Sequence, residues 1–251
     1  MSSNSEVCFK ILIFIAAPFG NYLNTKHTVS VHGTFTLYPQ GNRFWAVLKS
    51  LRYTKEGWIN RLGLPNPGLI KGLDKLTNIH DNVISIAEVN RNEFQKMNKI
   101  LPSTASLELN LSCPNTKYLP WDHIKQFPNK DRKWCIAKMS PLSTPEEIEY
   151  VINQGFRQLH FSNTLPHKRG GLSGKTLIPY TKKLIRLVRD DFKSIDIEII
   201  AGGGVTTKQD IEEYLNEGAD HISIGSGWFR PLKMRKLINE NYTIFRDTRS
   251  T

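Results

Sequence analysis

Cysteine is scarce in this chain. Its three cysteines, Cys8, Cys113 and Cys135, are too few for the disulfide framework of a small secreted protein. They also cannot hold an iron–sulfur cluster that needs four thiolate ligands. A reducing compartment fits this composition, and we expect a cytoplasmic protein.

Long hydrophobic runs are missing as well. The apolar run Val7–Ala17 is interrupted by Lys10 and is too short to cross a bilayer. No basic segment precedes it, and Pro18–Gly20 would be a poor signal-peptide cleavage site. We therefore predict a buried first strand in this region and expect no membrane partner.

Acidic residues are outnumbered, and low-complexity linkers are absent. The chain carries 34 Lys+Arg against 23 Asp+Glu, a formal charge of +11, which favours anionic partners. The basic residues are dispersed, and their clusters at Lys182–Lys183 and Lys233–Lys236 are typical of solvated helix faces. No composition shift divides the sequence, so we predict one domain over residues 1–251.

Apolar, strand-like runs alternate with amphipathic segments along the chain. Such strands, separated by helices, are typical of a parallel sheet covered on both faces, and eight of them favour a closed (β/α)8 barrel of the TIM type. The segment between the first two runs is too short for a crossover helix, so the first β/α unit is predicted to be irregular and shortened. The predicted strands are Ile11–Ala16, Thr28–Thr34, Asn82–Ala87, Leu107–Leu111, Trp134–Met139, Gln158–Phe161, Ile197–Ala201 and His221–Ile224.

Helix signals are clear in the second half of the chain. Thr144 is a typical N-cap, because Pro145 and two glutamates follow it, and Gly155 is placed to end that helix. A second helix is predicted from about Ile178, and a third from just after Thr206 to Gly218.

Glycine-rich turns follow the last three predicted strands. Glycine lets backbone N–H groups approach a phosphate closely, and the loops after strands seven and eight of a barrel are the usual phosphate site. The three turns together therefore predict phosphate binding. They are Arg169–Gly174, Ala201–Gly204 and Gly225–Gly227.

The segment Leu107–Asn115 presents amides and a thiol just beyond a strand. Asn110 and Asn115 could pair with the carbonyl and N–H groups of a planar substrate, because each amide offers donors and an acceptor. Cys113 could take a proton if its surroundings lower its pKa. A polar turn with an incidental cysteine explains the same spacing equally well.

The segment Leu109–Asn115 resembles the signature of dihydroorotate dehydrogenases. Further matches run in the family's order from about Ala16 to Ser226. Apart from the three glycine turns, they are Gly33–Thr36 with Pro39–Asn42 in the second strand, Trp58–Gly68 in the substrate loop, Ala137–Pro141 in the fifth strand and Ser162–Thr164 in the sixth.

This resemblance implies a single barrel domain that binds FMN and oxidises dihydroorotate to orotate in pyrimidine biosynthesis. Cys113 would be the base, as in the soluble class of the family, while FMN accepts the hydride. The electron acceptor would be soluble, with fumarate as one candidate. A homodimer is compatible with the resemblance, and no metal site is expected. The matching substrate-binding residues are Asn60, Asn110, Asn115, Asn163 and Thr164, and the cofactor-binding residues are Ala16, Ala17, Lys138, Gly171, Gly203, Gly204, Gly225 and Ser226.

The chain departs from the family at its first barrel unit. A second active-site lysine is missing, because the second-strand motif has His32 or Gly33 at that position. Lys26, in the short preceding loop, is a candidate substitute. Pro18 stands where the family has a residue with a backbone N–H, so the flavin edge is expected to be less covered.

Two other functions remain open on the sequence alone. A tRNA dihydrouridine synthase is also an FMN barrel with a cysteine in a related turn, and the charge of +11 would suit it. The paired asparagines and the Asn60 loop favour a free pyrimidine instead, and no tRNA-binding helical domain follows the barrel, so we do not expect a nucleic-acid partner. A flavin-binding protein that has lost turnover is the other alternative, since a fold does not guarantee activity.

Overall fold

Parallel strands close into a barrel, as the alternating apolar runs predict. The barrel contains eight strands in the order β1-β12-β11-β8-β7-β6-β5-β2. The computed structural model describes residues 11–41, 51–60, 63–76, 82–112, 123–161 and 163–241. The strands of these residues are β1 (Ile13–Ile15), β2 (Thr28–Phe35), β3 (Arg52–Thr54), β4 (Gly57–Asn60), β5 (Val83–Ile86), β6 (Leu107–Asn110), β7 (Cys135–Met139), β8 (Gln158–Phe161), β9 (Leu165–His167), β10 (Gly170–Ser173), β11 (Glu198–Gly202) and β12 (His221–Ile224).

The barrel strands are rich in apolar residues because both of their faces are buried. One set of side chains fills the barrel interior, with Phe14, Val31, Val83, Ile136 and Ile200 in one buried cluster. The alternate residues pack outward in a larger cluster with the surrounding helices. Because the strands pack against one cluster inside the barrel and another outside it, their sequences form nearly continuous apolar runs.

The three predicted helices are present close to where the sequence signals place them. The Thr144 side chain accepts a hydrogen bond from the Glu147 backbone N–H, and the Glu147 carboxylate accepts one from the Thr144 backbone N–H, which forms a capping box. Gly155 follows that helix with φ of 99°, the left-handed conformation that glycine adopts freely. The helices are α1 (Leu69–Leu73), α2 (Glu93–Ile100), α3 (Pro145–Asn153), α4 (Ile178–Asp191), α5 (Lys208–Asn216) and α6 (Pro231–Asn241).

The first β/α unit is shortened, as predicted. Between β1 and β2 the chain forms one turn of 3-10 helix, Phe19–Asn21, in place of a crossover α-helix. The Asn21 amide accepts a hydrogen bond from Gly33 N–H and donates one to Gly33 C=O, both at 2.9 Å. This pair of bonds ties the short connection directly to the middle of β2.

A second, four-stranded antiparallel sheet was not predicted. Its strands run in the order β3-β4-β10-β9. The segment that we expected to be a phosphate-binding turn, Arg169–Gly174, contains strand β10, in which Gly171 pairs with Asn60 of β4. Glycine is required there because a Cβ atom would lie 2.4 Å from Thr164 Oγ1. The expectation of a turn was therefore wrong, and the glycines serve close strand packing.

The helices of the described residues are all too short or too polar to cross a membrane.

Candidate active site

A cavity of about 1190 Å³ opens at the carboxyl ends of the barrel strands. In barrel enzymes this end of the strands carries the active site. The small sheet contributes part of its wall, through Asn60 of β4 and Gly171 of β10.

The predicted site residues of the described chain all line this one cavity. Cys113 and Asn115, the predicted base and the second amide of its turn, lie outside the described residues. The predicted residues found in the lining are Ala16, Ala17, Asn60, Asn110, Lys138, Asn163, Thr164, Gly171, Gly203, Gly204, Gly225 and Ser226.

Hydrogen bonds fix the orientation of two cavity amides. Asn163 Nδ2 donates to Asn110 Oδ1 at 3.0 Å and to Ser112 Oγ at 3.2 Å. Asn163 Oδ1 accepts from the Thr164 backbone N–H at 2.9 Å. Because Asn110 uses its oxygen in this way, its Nδ2 group remains to donate to a ligand.

A buried charged cluster forms the floor of the cavity. Glu108 Oε1 lies 3.6 Å from Lys138 Nζ, and Glu108 Oε2 lies 2.7 Å from His160 Nδ1. Burial favours the neutral acid, but the charge of Lys138 and then the interaction with His160 outweigh it and lower the pKa of Glu108 to about 2. Burial lowers the pKa of His160, with Glu108 opposing that shift. At neutral pH the floor therefore holds an ionised carboxylate and a neutral imidazole beside Lys138.

Two hydroxyl groups extend this cluster across the barrel. Ser85 Oγ donates to Glu108 Oε1 at 2.9 Å, and the Thr34 hydroxyl lies 3.0 Å from Ser85 Oγ. Because the Ser85 hydroxyl donates its hydrogen to Glu108, the Thr34 hydroxyl must be the donor to Ser85. The result is a chain of hydrogen bonds from β2 through β5 and β6 to β8.

Glu108 and His160 were not among the predicted site residues. A signal for Glu108 was present, because it alternates with Leu107 and Leu109 in a strand whose side chains are all buried. A charged residue at such a position needs a partner. That its partner is His160, 52 residues away, depends on the strand order.

The glycines after β11 provide free backbone donors. Gly203 and Gly204 have φ of 91° and 83°, and neither backbone N–H has an acceptor among the described residues. The Tyr214 hydroxyl donates to Gly203 C=O at 2.6 Å, which holds this turn from behind. Ser223 Oγ, also in the cavity lining, is buried without a partner in the described structure. The unused backbone donors of Gly203 and Gly204 fit a phosphate-bearing ligand such as FMN.

None of the three candidates for the missing lysine position brings a cation into the cavity. Lys26 is exposed and precedes β2, so it lies at the amino end of the barrel, away from the cavity. His32 is counted in the cavity lining, but its side chain hydrogen-bonds Asn82, and burial lowers the pKa of its imidazole. A side chain at Gly33 would lie 2.4 Å from Ser85 C=O. Lys26 is therefore not placed to supply this charge, whereas the effect of a lysine at His32, which is counted in the cavity lining, stays a prediction.

Acid is expected to destabilise the fold through the cavity floor. Because the pKa of Glu108 falls from 4.5 to about 2 on folding, its ionisation stabilises the protein above about pH 4.5, and this contribution is lost as the pH falls towards 2. Glu108→Gln should lower the free energy of unfolding at pH 7 by roughly 3 kcal/mol and flatten its decline below pH 4.5. Urea unfolding at stepped pH values would measure both effects.

The control for this experiment is Glu212→Gln. Glu212 forms an exposed ion pair with Lys208 at 3.0 Å, and such pairs contribute little. An unchanged stability and acid profile in Glu108→Gln would contradict the assigned charge of the cluster.

The fold and the cavity define a β/α-barrel protein with its site at the carboxyl ends of the strands, and comparisons with known proteins identify the family. The sequence pattern of the family described as dihydroorotate dehydrogenase matches residues 23–126 and 123–243. The chain belongs to the dihydroorotate dehydrogenase family, whose members are oxidoreductases.

Several curated relatives are similar over most of the chain. The catalytic subunit of dihydroorotate dehydrogenase B (NAD(+)) from Endomicrobium trichonymphae is 33% identical over 225 residues, which are 77% of this chain and 72% of that protein. The corresponding subunit from Methanocaldococcus jannaschii is 30% identical over 68% of this chain and 66% of its own length. For the Thermotoga maritima subunit the identity is 29%, over 87% of this chain and 91% of that protein.

A solved structure shows the same fold. The crystal structure of DHODH from Eimeria tenella, in complex with ferulenol, superimposes with a TM-score of 0.73. The match covers 92% of this chain and 82% of that one at 20% sequence identity, so it supports the architecture alone.

Proposed function

We propose that this protein binds FMN and oxidises dihydroorotate to orotate. The observation that carries the proposal is the shared cavity, in which ligand-facing amides, a lysine and unbonded glycine N–H groups surround about 1190 Å³. Ligand pockets usually enclose about 300 to 1,000 Å³, so this space suits a cofactor together with a small substrate.

The glycine turns would hold the FMN phosphate. Gly203 and Gly204 offer backbone donors, and Gly225 with Ser226 faces the same cavity from the end of β12. Lys138 would lie against the electron-rich edge of the flavin ring, where a cation stabilises the reduced anion. Bound FMN would supply the hydride-accepting chemistry, and the protein would position it.

The asparagines would hold the pyrimidine ring. Asn110 and Asn163 are oriented by their mutual hydrogen bond, so Asn110 presents donors to a ring carbonyl. Asn60 approaches from the small sheet, on the strand that pairs with Gly171. Cys113 comes three residues after Asn110 in the sequence. We propose that it removes the proton from the substrate carbon.

The electron acceptor is proposed to be soluble. Relatives of this chain carry names that specify either NAD(+) or fumarate, the latter in a putative dihydroorotate dehydrogenase A from Aquifex aeolicus that is 29% identical over 74% of this chain. We propose fumarate for this chain, in a cytoplasmic protein, and a homodimer as its assembly. Parallel oxidation assays with fumarate and NAD(+) would decide the acceptor.

A second candidate function is flavin binding with impaired turnover. It is favoured by one observation: strand β2 itself contains no lysine, and Gly33 leaves no room for a side chain. Positive charge beside a developing anion is often a large catalytic contribution, so its loss would slow the reaction.

The absorption spectrum of the purified protein, followed by anaerobic addition of dihydroorotate, tests both candidates. The proposed function predicts a yellow protein whose flavin band bleaches with substrate. A flavin that stays oxidised would support the impaired alternative, and a colourless protein that cannot take up added FMN would overturn both. Asn110→Ala should keep the flavin but bleach at least tenfold more slowly, since an unpaired substrate group is costly.

A further inference from the structure

His160 is a buried residue of the cavity lining. It lies on β8, is 2% exposed, and stands beside Lys138 of β7 in the strand register. Its ring is held by one strong contact, the 2.7 Å hydrogen bond between Nδ1 and the Glu108 carboxylate. Nothing in the function proposed so far uses this residue.

The Glu108 contact determines which ring nitrogen carries the proton. An ionised carboxylate can only accept, so His160 Nδ1 must donate to it. The ring is neutral because burial lowers the pKa of His160. Nε2 therefore carries a lone pair and acts as an acceptor.

The other ring nitrogen is open to the cavity. His160 lines the cavity, and a Cβ atom at Gly202 would lie 3.2 Å from Nε2, so the glycine leaves this nitrogen uncovered. No described residue donates a hydrogen bond to Nε2. Ser223 Oγ is a second unpartnered group on the same floor, within the same lining. Two unused polar groups side by side indicate a polar ligand edge.

Lys138 and His160 together present a donor beside an acceptor. This pair matches a ligand edge in which a carbonyl is adjacent to an N–H, as in a cyclic imide. We propose that His160 is a further ligand-binding residue: its Nε2 accepts the N–H of an imide edge whose neighbouring carbonyl lies against Lys138. The inference rests on the proposed function, because it names a partner for the same cavity.

Two molecules of the proposed reaction carry such an edge. The oxidised flavin ring has a single N–H group, flanked by carbonyls, and the dihydropyrimidine ring of the substrate has an equivalent imide. The chemistry is shared, and the experiment must separate the two sources.

The first arm measures flavin binding to flavin-free protein by quenching of flavin fluorescence, with FMN and with 3-methyl-FMN, in which the N–H is blocked. Wild type should prefer FMN about tenfold, the value of one buried hydrogen bond. His160→Leu should bind both flavins alike, and His160→Gln, which retains an acceptor, should recover part of the preference. The second arm measures the KM for dihydroorotate in the same variants.

The matched control is His221→Leu. His221 is also a buried histidine paired with a glutamate, Glu198, at 3.1 Å, but it begins β12 at the amino end of the barrel. The His221→Leu variant should retain the wild-type preference for FMN over 3-methyl-FMN.

The two arms give distinct results. Loss of the FMN preference in His160→Leu assigns the imide to the flavin, whereas an unchanged preference with a raised KM assigns it to the substrate, and both support the proposal. Wild-type values in both arms would overturn it while leaving the proposed function intact. Wild-type protein that binds neither flavin would overturn the proposed function and this inference together.

Discussion

Replacing Cys113 with alanine is expected to leave FMN bound and to slow its reduction by dihydroorotate by roughly 10² to 10⁴-fold. Removing a general base typically costs that much, whereas flavin binding depends on other residues. Cys113 itself lies outside the described residues, but the chain leaves β6 beside the cavity amides: Asn110 and Ser112 both contact Asn163. Anaerobic stopped-flow measurement of flavin bleaching would give the rate.

Cys135 provides the matched control. It lies in β7, and burial raises the pKa of its thiol to about 12, with Arg132 offsetting this only in part. A thiol of that pKa is not ionised at neutral pH and cannot serve as a base. In Cys135→Ala, dihydroorotate should therefore reduce the bound FMN at the wild-type rate. Equal rates in Cys113→Ala and wild type would refute the assignment of the base.

Gly225→Val is expected to weaken FMN binding by about 100-fold or more. Gly225 lines the cavity, and a Cβ atom there would have Ala16 Cβ at 3.7 Å as its nearest neighbour, so the new side chain fits the protein and occupies ligand space. Losing two hydrogen bonds to a charged phosphate costs roughly 3 to 6 kcal/mol. Equilibrium dialysis with FMN would measure the loss, and thermal unfolding of the flavin-free protein would show that the fold is kept.

Gly155→Asn is the control for the glycine substitution. Gly155 ends α3 outside the cavity, and asparagine tolerates its positive φ. FMN affinity should be unchanged. If Gly225→Val bound FMN as tightly as wild type, the phosphate would have to lie elsewhere.

The barrel was predictable because each of its strands is buried on both faces. Runs such as Ile11–Ala16 are apolar enough to be recognised without knowledge of their neighbours, and helix α3 begins at a local capping box. The small sheet could not be predicted in this way. Strand β3 is largely exposed, and β10 is rich in glycine. Strand β4 pairs with β10 although the two strands are far apart in the chain.

The site was predictable where short motifs carry it. Asn110, Lys138 and Asn163 were found from their motifs, and the structure places all three in one cavity. The register of β2 against β5 is irregular between His32 and Phe35, which no local pattern reveals. The pairing of Glu108 with His160 likewise depends on tertiary structure, because the two residues lie on different strands.

The hydrogen-bonded chain from Thr34 to His160 makes the two halves of the barrel different at the cavity. Strands β2, β5, β6, β7 and β8 direct polar side chains inward at the cavity floor and lock them to one another. At the ends of β1, β11 and β12 the lining begins with small residues, and the larger Phe19, Val205 and Phe229 line the cavity beyond them. One half of the barrel thus presents hydrogen-bonded polar side chains. The other half leaves the empty volume that a flat tricyclic ligand would need. The small residues of that second half are Ala16, Gly202, Ser223 and Gly225.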